Sequence, residues 1–266
     1  MGIVVLGGTG NLGTLVAAEL TRRGETVTAC GRTHGDARDP EVVTRLATGA
    51  SAIVDCAGAS VAMGLGRGWR GYRAVDTPIG MAAIEAAKRT GARLVYIGVA
   101  HAPQLASCTY IDAHERVAAA MGDIDGVVIR PTGLFSAYAS LLPMAKRGLL
   151  VDLGRGHTRT NPIDDGELAT IIADAVHADG PREIACGGPE VMTRRQIFEA
   201  VGAAAGQKRV RGFPVWLARI NAAMLRLVHP RIGQFMQFAV GLAEHGVIAP
   251  AMGTKRFGDH LAGIAA

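Results

Sequence analysis

A glycine-rich turn stands almost at the start of this chain, between an apolar run and a helical pattern. Residues 3–6 have the composition of a buried strand, and residues 11–23 have the pattern of a helix. Between them the glycines at positions 7, 10 and 13 follow a GxxGxxG spacing. A strand, a glycine turn and a helix in this order restrict the chain to α/β folds whose first helix points its N-terminus at a ligand.

Each of these glycines has a separate task in such a turn. Gly7 allows the tight turn, Gly10 lets the backbone approach a pyrophosphate, and Gly13 lets the helix pack closely on the sheet. The helix N-terminus adds free N–H groups and the positive end of the helix dipole. A glycine turn without a ligand is the alternative. We predict a dinucleotide site with a pyrophosphate loop comprising Gly7, Thr9, Gly10, Asn11, Leu12 and Gly13.

The end of the second predicted strand, residues 26–30, selects between the two nicotinamide dinucleotides. An acid about 20 residues beyond the glycines would bind the ribose 2′-hydroxyl of NAD, whereas an arginine accommodates the 2′-phosphate of NADP. The chain has Arg32 and Thr33 here, and both can bind a phosphate. NADP(H) is therefore the predicted cofactor, and NAD(H) is less favoured although Asp36 lies close by. A solvated loop arginine is the other interpretation of Arg32.

The rest of the chain alternates short apolar runs with helical patterns. Such alternation predicts the α/β class, a Rossmann-type doubly wound parallel sheet with a small, mainly helical C-terminal substrate-binding part. We expect a dinucleotide-binding domain over residues 1–135 and a cap region over 136–266, packed together as one compact unit. The predicted strands are 52–54, 93–97, 126–129 and 183–185, and the predicted helices are 77–89, 111–121, 168–176 and 194–205.

Residues 200–243 contain six basic residues and no acid. Within them, apolar residues recur at helical spacing, which predicts an amphipathic helix with Arg219 and Arg226 on its solvent face. A cap packed over a substrate cleft is the favoured role, and a helix lying on a membrane surface is the alternative. The apolar positions are Trp216, Leu217, Ile220, Ala223, Met224, Leu227 and Val228.

Composition and charge restrict the kinds of ligand and partner that we expect. The formal charge of +5 is modest and spread along the chain, which fits an anionic small molecule better than nucleic acid. No apolar run reaches the roughly 20 residues of a membrane span, and no leader pattern precedes the first strand, so we expect a cytoplasmic monomer or homodimer. No metal site is expected, because no CxxC pair or zinc-like spacing occurs among Cys30, Cys56, Cys108 and Cys186, which we expect to be small buried thiols.

Several segments together resemble the atypical short-chain dehydrogenases/reductases, near the NmrA-like and NAD(P)-dependent epimerase-like proteins. The resemblance covers almost the whole chain, and the glycine loop is its most specific part. It implies a sheet one strand short beside the second strand, because the stretch 35–40 follows Arg32 almost at once. The matching segments are 4–13, 31–32, 95–99, 110–121, 128–135, 160–169, 187–193 and 248–257.

The resemblance also implies catalytic residues, with departures. Family chemistry uses a tyrosine as general acid, a lysine four residues later and an upstream serine. Here the tyrosine is Tyr110, while His114 stands for the lysine and Gly98 for the serine. Asp76 matches a position where one subgroup carries aspartate. Tyr110 and His114 as packing residues, and Asp76 as a helix cap, are the competing interpretations.

By the same resemblance, further residues would contact the ligands. Ala57, Gly58, Gly98, Pro131 and Thr132 would touch the cofactor. His101 and Phe135 would touch the substrate. The predicted function is an NADP(H)-dependent reductase or dehydrogenase acting on a small, hydrophobic carbonyl or enone compound. The rival hypothesis, favoured by the missing serine and lysine, is a non-catalytic NADP(H)-binding sensor, regulator or assembly factor of NmrA-like type.

Overall fold

The structure, a computed structural model, describes residues 2–59, 69–180 and 182–265. The strands are β1 (Gly2–Leu6), β2 (Val27–Cys30), β3 (Ala50–Asp55), β4 (Arg93–Ile97), β5 (Gly126–Pro131), β6 (Val151–Leu153), β7 (Arg159–Thr160), β8 (Glu183–Cys186), β9 (Met192–Thr193) and β10 (Arg211–Phe213). The α-helices are α1 (Asn11–Arg22), α2 (Pro40–Ala47), α3 (Asp76–Thr90), α4 (Thr109–Ala120), α5 (Phe135–Ala139), α6 (Leu142–Lys146), α7 (Asp165–Ala175), α8 (Arg194–Ala204), α9 (Val215–Val228), α10 (Pro230–Glu244) and α11 (Phe257–Ala265). The predicted strands and helices occur, and their ends differ from the prediction by at most three residues.

The main sheet has six parallel strands in the order β2-β1-β3-β4-β5-β8. The predicted Rossmann-type α/β class is therefore confirmed. In the order 3-2-1-4-5-6 of the Rossmann fold, another strand lies outside the second one, whereas here β2 is the edge. The sheet therefore has one strand fewer beside β2, as expected, and α2 is the one α-helix between β2 and β3. The strand order reverses between β1 and β3, and ligands of open α/β sheets bind at such a switch point.

Both faces of the sheet are buried, as its short apolar strands predict. Ile3 and Val5 of β1 face one core together with Val16 and Leu20 of α1 and side chains of α7. Val4 and Leu6 face the other core, beneath α2, α3 and α4. Successive side chains of a strand point to opposite faces, so a strand buried on both sides needs a continuous apolar run. This double burial leaves the carboxyl ends of the strands as the place for function.

The chain returns to the sheet beyond residue 135. β8 pairs with β5, and α7 packs on the same core as α1. A separate core joins α5, α6, α8 and α11 around Phe135, Phe257 and Ile197. The division of the chain after residue 135 stays a prediction, and the sheet draws on residues from both sides of it.

The amphipathic helix predicted near residue 216 exists as α9, but its expected orientation is wrong. Ala218 and Ala222 are its buried side chains, and the larger apolar residues face solvent. The physical reason is close packing against α10, where a Cβ on Gly233 would lie 2.5 Å from the Cα of Arg226. Only small residues permit such an approach of two helices, so the large side chains lie on the outer face.

Other expectations concern the chemistry of the whole chain. The four cysteines are free thiols, and all but the half-buried Cys56 are buried. In the part of the chain that the structure describes, no helix has the length and apolar character to cross a bilayer. The same described residues contain no cluster of three His, Cys, Asp or Glu side chains able to hold a metal ion.

Candidate functional site

The glycine turn lies at the switch point of the sheet. Gly7 has a φ of +71°, and a Cβ there would lie 2.8 Å from the carbonyl oxygen of Cys56 after β3. A Cβ on Gly8 would lie 2.7 Å from the Cα of Ala29 in β2. The turn therefore lies against the ends of β2 and β3, the strands on either side of β1, at a distance that only glycine allows.

The start of α1 is open to a ligand. A Cβ on Gly13 would overlap the carbonyl oxygen of Gly7, so the helix sits directly on the turn. Gly10 is the N-cap residue and no side chain caps the helix, while Thr9, Gly10 and Asn11 are exposed. An uncapped, exposed helix N-terminus presents N–H groups and positive potential to an anion. This arrangement fits the pyrophosphate of a dinucleotide.

Arg32 stands at the end of β2 as an exposed cation. It begins a short 3₁₀ turn, and within the described residues it has no hydrogen bond or ion pair. The neighbouring Thr33 is exposed as well, with its hydroxyl 3.3 Å from Nδ1 of His34. Asp36 instead pairs with Arg38 at 2.5 Å, and hydrogen bonds from Arg38 lower the pKa of the Asp36 carboxyl to about 2. Arg32 is therefore available for a phosphate.

Asp76 holds the loop that follows β3. It is the first residue of α3, and its Oδ1 accepts a hydrogen bond from the backbone N–H of Ala59 at 3.0 Å. A Cβ on Gly58 would lie 2.6 Å from the same oxygen. The side chain does not cap its own helix, whose N-cap residue is Val75. Asp76 thus positions the loop of Ala57 and Gly58, which runs beside the glycine turn.

Two buried carboxyl groups stand behind this loop. Asp55 ends β3, and both Asp55 and Asp76 are almost inaccessible to solvent. Each has one carboxyl oxygen, Oδ2, without a hydrogen-bond partner among the described residues. Burial raises the pKa of each carboxyl to about 7, and the charge of Asp76 adds to the shift of Asp55. Near neutral pH each of these carboxyl groups is therefore partly protonated.

Tyr110 lies in the first turn of α4, surrounded by aromatic rings. Its ring centroid is 4.8 Å from that of Tyr72, 4.9 Å from that of His114 and 4.7 Å from that of Phe238 in α10. Burial raises the pKa of the Tyr110 hydroxyl well above its usual range, and the charge of Asp76 adds to this effect. The phenol is protonated at neutral pH, as an ordinary tyrosine is, and the raised pKa makes it a weaker proton donor.

His114 lies on the same face of α4 as Tyr110 but is hydrogen-bonded to a different tyrosine. Its Nδ1 lies 2.8 Å from the hydroxyl of Tyr96 in β4. Burial lowers the pKa of the His114 imidazole to about 4. A neutral ring bonded to the sheet does not provide the positive charge that a lysine would have at this place.

Replacing Asp55 by asparagine tests the buried carboxyl. Because the folded pKa is about 7 against an ordinary 3.8, the native protein binds more protons than the unfolded chain in this range, and Asp55 lowers stability as pH rises through it. We expect the unfolding free energy of Asp55→Asn to gain roughly 3 kcal/mol on the wild type from about pH 4 to about pH 7. Denaturant titrations across this range measure the difference.

The comparison has to be made between the two proteins at each pH. In the wild type alone, the lowered pKa of His114 acts in the opposite direction, because a neutral buried imidazole loses stability as the pH falls. This contribution is common to both proteins and cancels in the difference. A difference that stays constant with pH would contradict the raised pKa of Asp55.

Beyond Gly98 at the end of β4, His101 joins an ion-pair network with Glu115 and Arg130. The N–H of Gly98 donates to the carbonyl of Ile129 at 2.8 Å, and no hydroxyl is present there. Nε2 of His101 lies 3.3 Å from Glu115, which also pairs with Arg130. Burial alone would raise the pKa of Glu115, but its hydrogen bond to Arg130 holds it below its usual range. His101 is thus half-buried at the strand end with a carboxylate partner.

The segment after β5 is more deeply buried than a ligand contact requires. Pro131 ends β5, and the hydroxyl of Thr132 donates to the carbonyl of Asn161 at 2.6 Å. Phe135 is 1% exposed, with its ring 5.2 Å from that of Phe257 in α11. This packing favours a core role for Phe135, and its contact with a substrate stays a prediction, like the cofactor contacts of Pro131 and Thr132.

Comparison with known proteins gives the same fold. A family model for the RmlD substrate binding domain matches residues 1–99, and no curated protein gives a significant match. Human epimerase family protein SDR39U1 (isoform 2), solved with NADPH, is 22% identical with a TM-score of 0.74, over 100% of this chain and 99% of that one. The chain has the fold of the NAD(P)-dependent reductases and epimerases.

Two bacterial enzymes of this fold align less completely. dTDP-4-dehydrorhamnose reductase from Bacillus anthracis, solved with NADP, is 14% identical with a TM-score of 0.65, over 88% of this chain and 96% of that one. UDP-glucose 4-epimerase from Thermus thermophilus, solved with NAD, is 19% identical with a TM-score of 0.61, over 80% and 86%. The resemblance to the atypical short-chain dehydrogenases expected from the sequence is confirmed at the level of the fold.

Sequence reasoning missed the contribution of α10 to this site. Its Gln234 accepts a hydrogen bond from the backbone N–H of Tyr72 at 2.9 Å, and Phe238 packs on Tyr110. The charge of Arg231 acts on Asp76 and opposes the rise of that carboxyl's pKa. Residues 200–243, which contain most of α10, have no acid, and this marked the stretch as unusual. No sequence pattern indicated which of its side chains face the sheet. Asp55 could have been found from the sequence, because it is an acid directly after a predicted strand.

Proposed function

We propose that this protein is an NADP(H)-dependent oxidoreductase acting on a small, hydrophobic carbonyl or enone compound. The observation that carries the proposal is that the uncapped helix N-terminus at Gly10 and the exposed Arg32, which has no ion pair among the described residues, lie at the same glycine turn. One binds a pyrophosphate and the other a 2′-phosphate. The NADPH and NADP found in two structures of the same fold support this cofactor.

The nicotinamide, when bound, supplies or accepts a hydride. Gly7 and Gly13 shape the pyrophosphate loop, and Ala57 and Gly58 follow β3 at the same edge of the sheet. Asp76 holds the second of these loops in place through Ala59. These contacts orient the nicotinamide toward the strand end at Gly98.

Tyr110 is the proposed proton donor. Its hydroxyl carries a proton at neutral pH, as an ordinary tyrosine does, and gives it to a carbonyl oxygen that becomes an alcohol, while the pKa raised by burial makes this transfer less favourable. Besides the rings of Tyr72 and His114, Tyr110 packs in a hydrophobic cluster with the apolar side chains of Val99, Phe238 and Leu242. An apolar surrounding excludes water and favours a hydrophobic substrate.

A second candidate function is NADP(H) binding without turnover. It is supported by His114, which is hydrogen-bonded to Tyr96 and whose lowered pKa keeps its ring neutral, and by Gly98, which has no hydroxyl. A sensor or assembly factor needs the cofactor site alone. The two candidates predict the same cofactor affinity and opposite results in an assay of hydride transfer.

Replacing Tyr110 by phenylalanine separates them. If Tyr110 is the proton donor, Tyr110→Phe should lower kcat by roughly a hundredfold or more and leave the NADPH affinity unchanged. NADPH oxidation with a panel of hydrophobic aldehydes, ketones and enones is the assay. Tyr138→Phe is the matched control, because Tyr138 is a buried tyrosine of the C-terminal core.

The outcomes are distinct. Full turnover by Tyr110→Phe would remove Tyr110 from the mechanism. No turnover by the wild type with any compound, together with tight NADPH binding, would favour the non-catalytic candidate.

A further inference from the structure

The outer face of α9 is a continuous apolar surface. Trp216 is 66% exposed, Met224 62% and Leu227 86%, with Ile220 and Val228 exposed beside them. These five side chains belong to one helix of 14 residues. We call them the α9 face. Contiguous apolar surface of this kind marks an interaction site, whereas single exposed apolar residues need no explanation.

The geometry of the α9 face is that of an interfacial helix. At about 100° per residue, its five side chains lie within an arc of roughly 120°. Arg219 and Arg226 lie along one border of that arc, between it and the buried Ala218 and Ala222. Arginines at this border can lay their stems along apolar material and keep the guanidinium in a polar layer.

The sequence segment that contains α9 carries charge of one sign. Residues 200–243 have six basic residues and no acid. Arg219 pairs with Glu244 at 2.6 Å, just outside that segment. Four other cations of the segment are exposed and have no ion pair among the described residues, namely Lys208, Arg209, Arg211 and Arg226. An apolar helix face beside unpaired cations is complementary to a surface that is both apolar and anionic.

A second copy of the chain fits this face less well. In a twofold pairing the same patch meets itself, so the two basic segments would face each other. Like charges brought together in this way oppose association. An anionic lipid surface offers the opposite charge and an apolar layer at once.

We propose that the α9 face docks this protein on the surface of an anionic membrane. α9 lies flat in the interface, with Trp216 and Leu227 among the acyl chains and Arg226 at the headgroups. No helix crosses the bilayer in this arrangement. The proposal does not rest on the proposed function, since it uses neither the cofactor loop nor Tyr110.

Docking would bring the candidate site close to the lipid. α10 packs between α9 and the site, with Gly233 against Arg226 on one side and Phe238 against Tyr110 on the other. Packed helices lie about 8–10 Å apart, so one helix separates the lipid from the aromatic cluster. A hydrophobic substrate dissolved in the membrane would then have a short route to Tyr110.

The chain provides its own reporter for a binding test. It has two tryptophans, Trp69 and Trp216, so Trp69→Phe leaves Trp216 as the sole indole. Vesicles of equal parts phosphatidylcholine and phosphatidylglycerol are the probe, with pure phosphatidylcholine vesicles as the comparison. We expect the Trp216 emission to shift to the blue with anionic vesicles, and high salt to weaken the binding.

Cosedimentation of a second pair of variants locates the contact. Leu227→Glu should weaken binding to the anionic vesicles at least about tenfold, because a buried leucine side chain changes the partition by more than that factor. Leu149→Glu is the control, because Leu149 is 61% exposed and lies outside α9. It should bind like the parent.

Three results would overturn the proposal. One is the absence of both an emission shift and cosedimentation with anionic vesicles. Another is vesicle binding that Leu227→Glu leaves unchanged. The third is a concentration-dependent dimer in sedimentation equilibrium that Leu227→Glu dissociates, because a second copy would then cover the α9 face.

Discussion

Replacing Gly13 by alanine should weaken NADPH binding by about a hundredfold or more. A Cβ at this position would overlap the carbonyl oxygen of Gly7, so α1 must move away from the turn. A displacement of about 1 Å at a positioning element is enough for an effect of this size. Overpacking of the same contact should also lower the unfolding free energy by about 1–3 kcal/mol. Fluorescence titration with NADPH and denaturant unfolding measure the two effects.

The matched control is a helical glycine with free space around it. Gly258 is the second residue of α11, and a Cβ there would meet nothing within 4 Å. Gly258→Ala should keep the NADPH affinity and leave stability unchanged or slightly raised, since alanine favours a helix. If Gly13→Ala is folded and binds NADPH as tightly as the wild type, the cofactor does not lie on the glycine turn.

Replacing Arg32 by alanine should remove the preference for NADPH. A charged hydrogen bond to a phosphate is worth about 1.5–3 kcal/mol, so the NADPH dissociation constant should rise by roughly ten- to a hundredfold. The affinity for NADH should stay the same, because NADH has no 2′-phosphate. Paired titrations of Arg32→Ala with the two dinucleotides give the ratio directly.

Arg45 offers the control for a general loss of positive charge. It is an exposed arginine of α2 without an ion pair among the described residues. Arg45→Ala should keep the ratio of the two affinities. Equal losses of NADPH affinity in Arg32→Ala and Arg45→Ala would show a nonspecific charge effect and would remove Arg32 as the reader of the 2′-phosphate.

The parts of the fold that sequence predicts best are local. The turn from Gly7 to Gly13 needs only a strand before it and a helix after it, and each glycine meets backbone a short distance away. The strands of the sheet are predictable for a similar reason, because double burial demands an unbroken apolar run. Arg32 follows directly from the end of β2.

The contacts that sequence did not predict join distant parts of the chain. Helical periodicity placed α9 correctly but did not tell which side faces the protein, because the buried side depends on contacts with distant elements, such as the packing of Ala218 with Val240 of α10. The burial of Phe135 is another such contact, because its ring packs against Phe257 of α11, far along the chain, while its contact with a substrate stays a prediction.

The environment of the buried Asp55 and Asp76 also depends on contacts that the sequence did not predict. Asp55 and Asp76 come from different elements, and both accept a hydrogen bond from the short segment after β3, Asp55 from the N–H of Ala57 and Asp76 from the N–H of Ala59. Sequence proposed Asp76 for chemistry or for capping, whereas its visible contact is with the backbone of Ala59. Burial, which raises the pKa of both groups to about 7, is a property of the packed molecule.

The central claim is that the glycine turn and Arg32 together bind NADP(H). A titration of the purified wild-type protein with NADPH and with NADH, followed by nicotinamide fluorescence, tests it most directly. We predict tight binding of NADPH and binding of NADH weaker by roughly ten- to a hundredfold. Equal affinity for the two dinucleotides, or no binding of either, would contradict the claim.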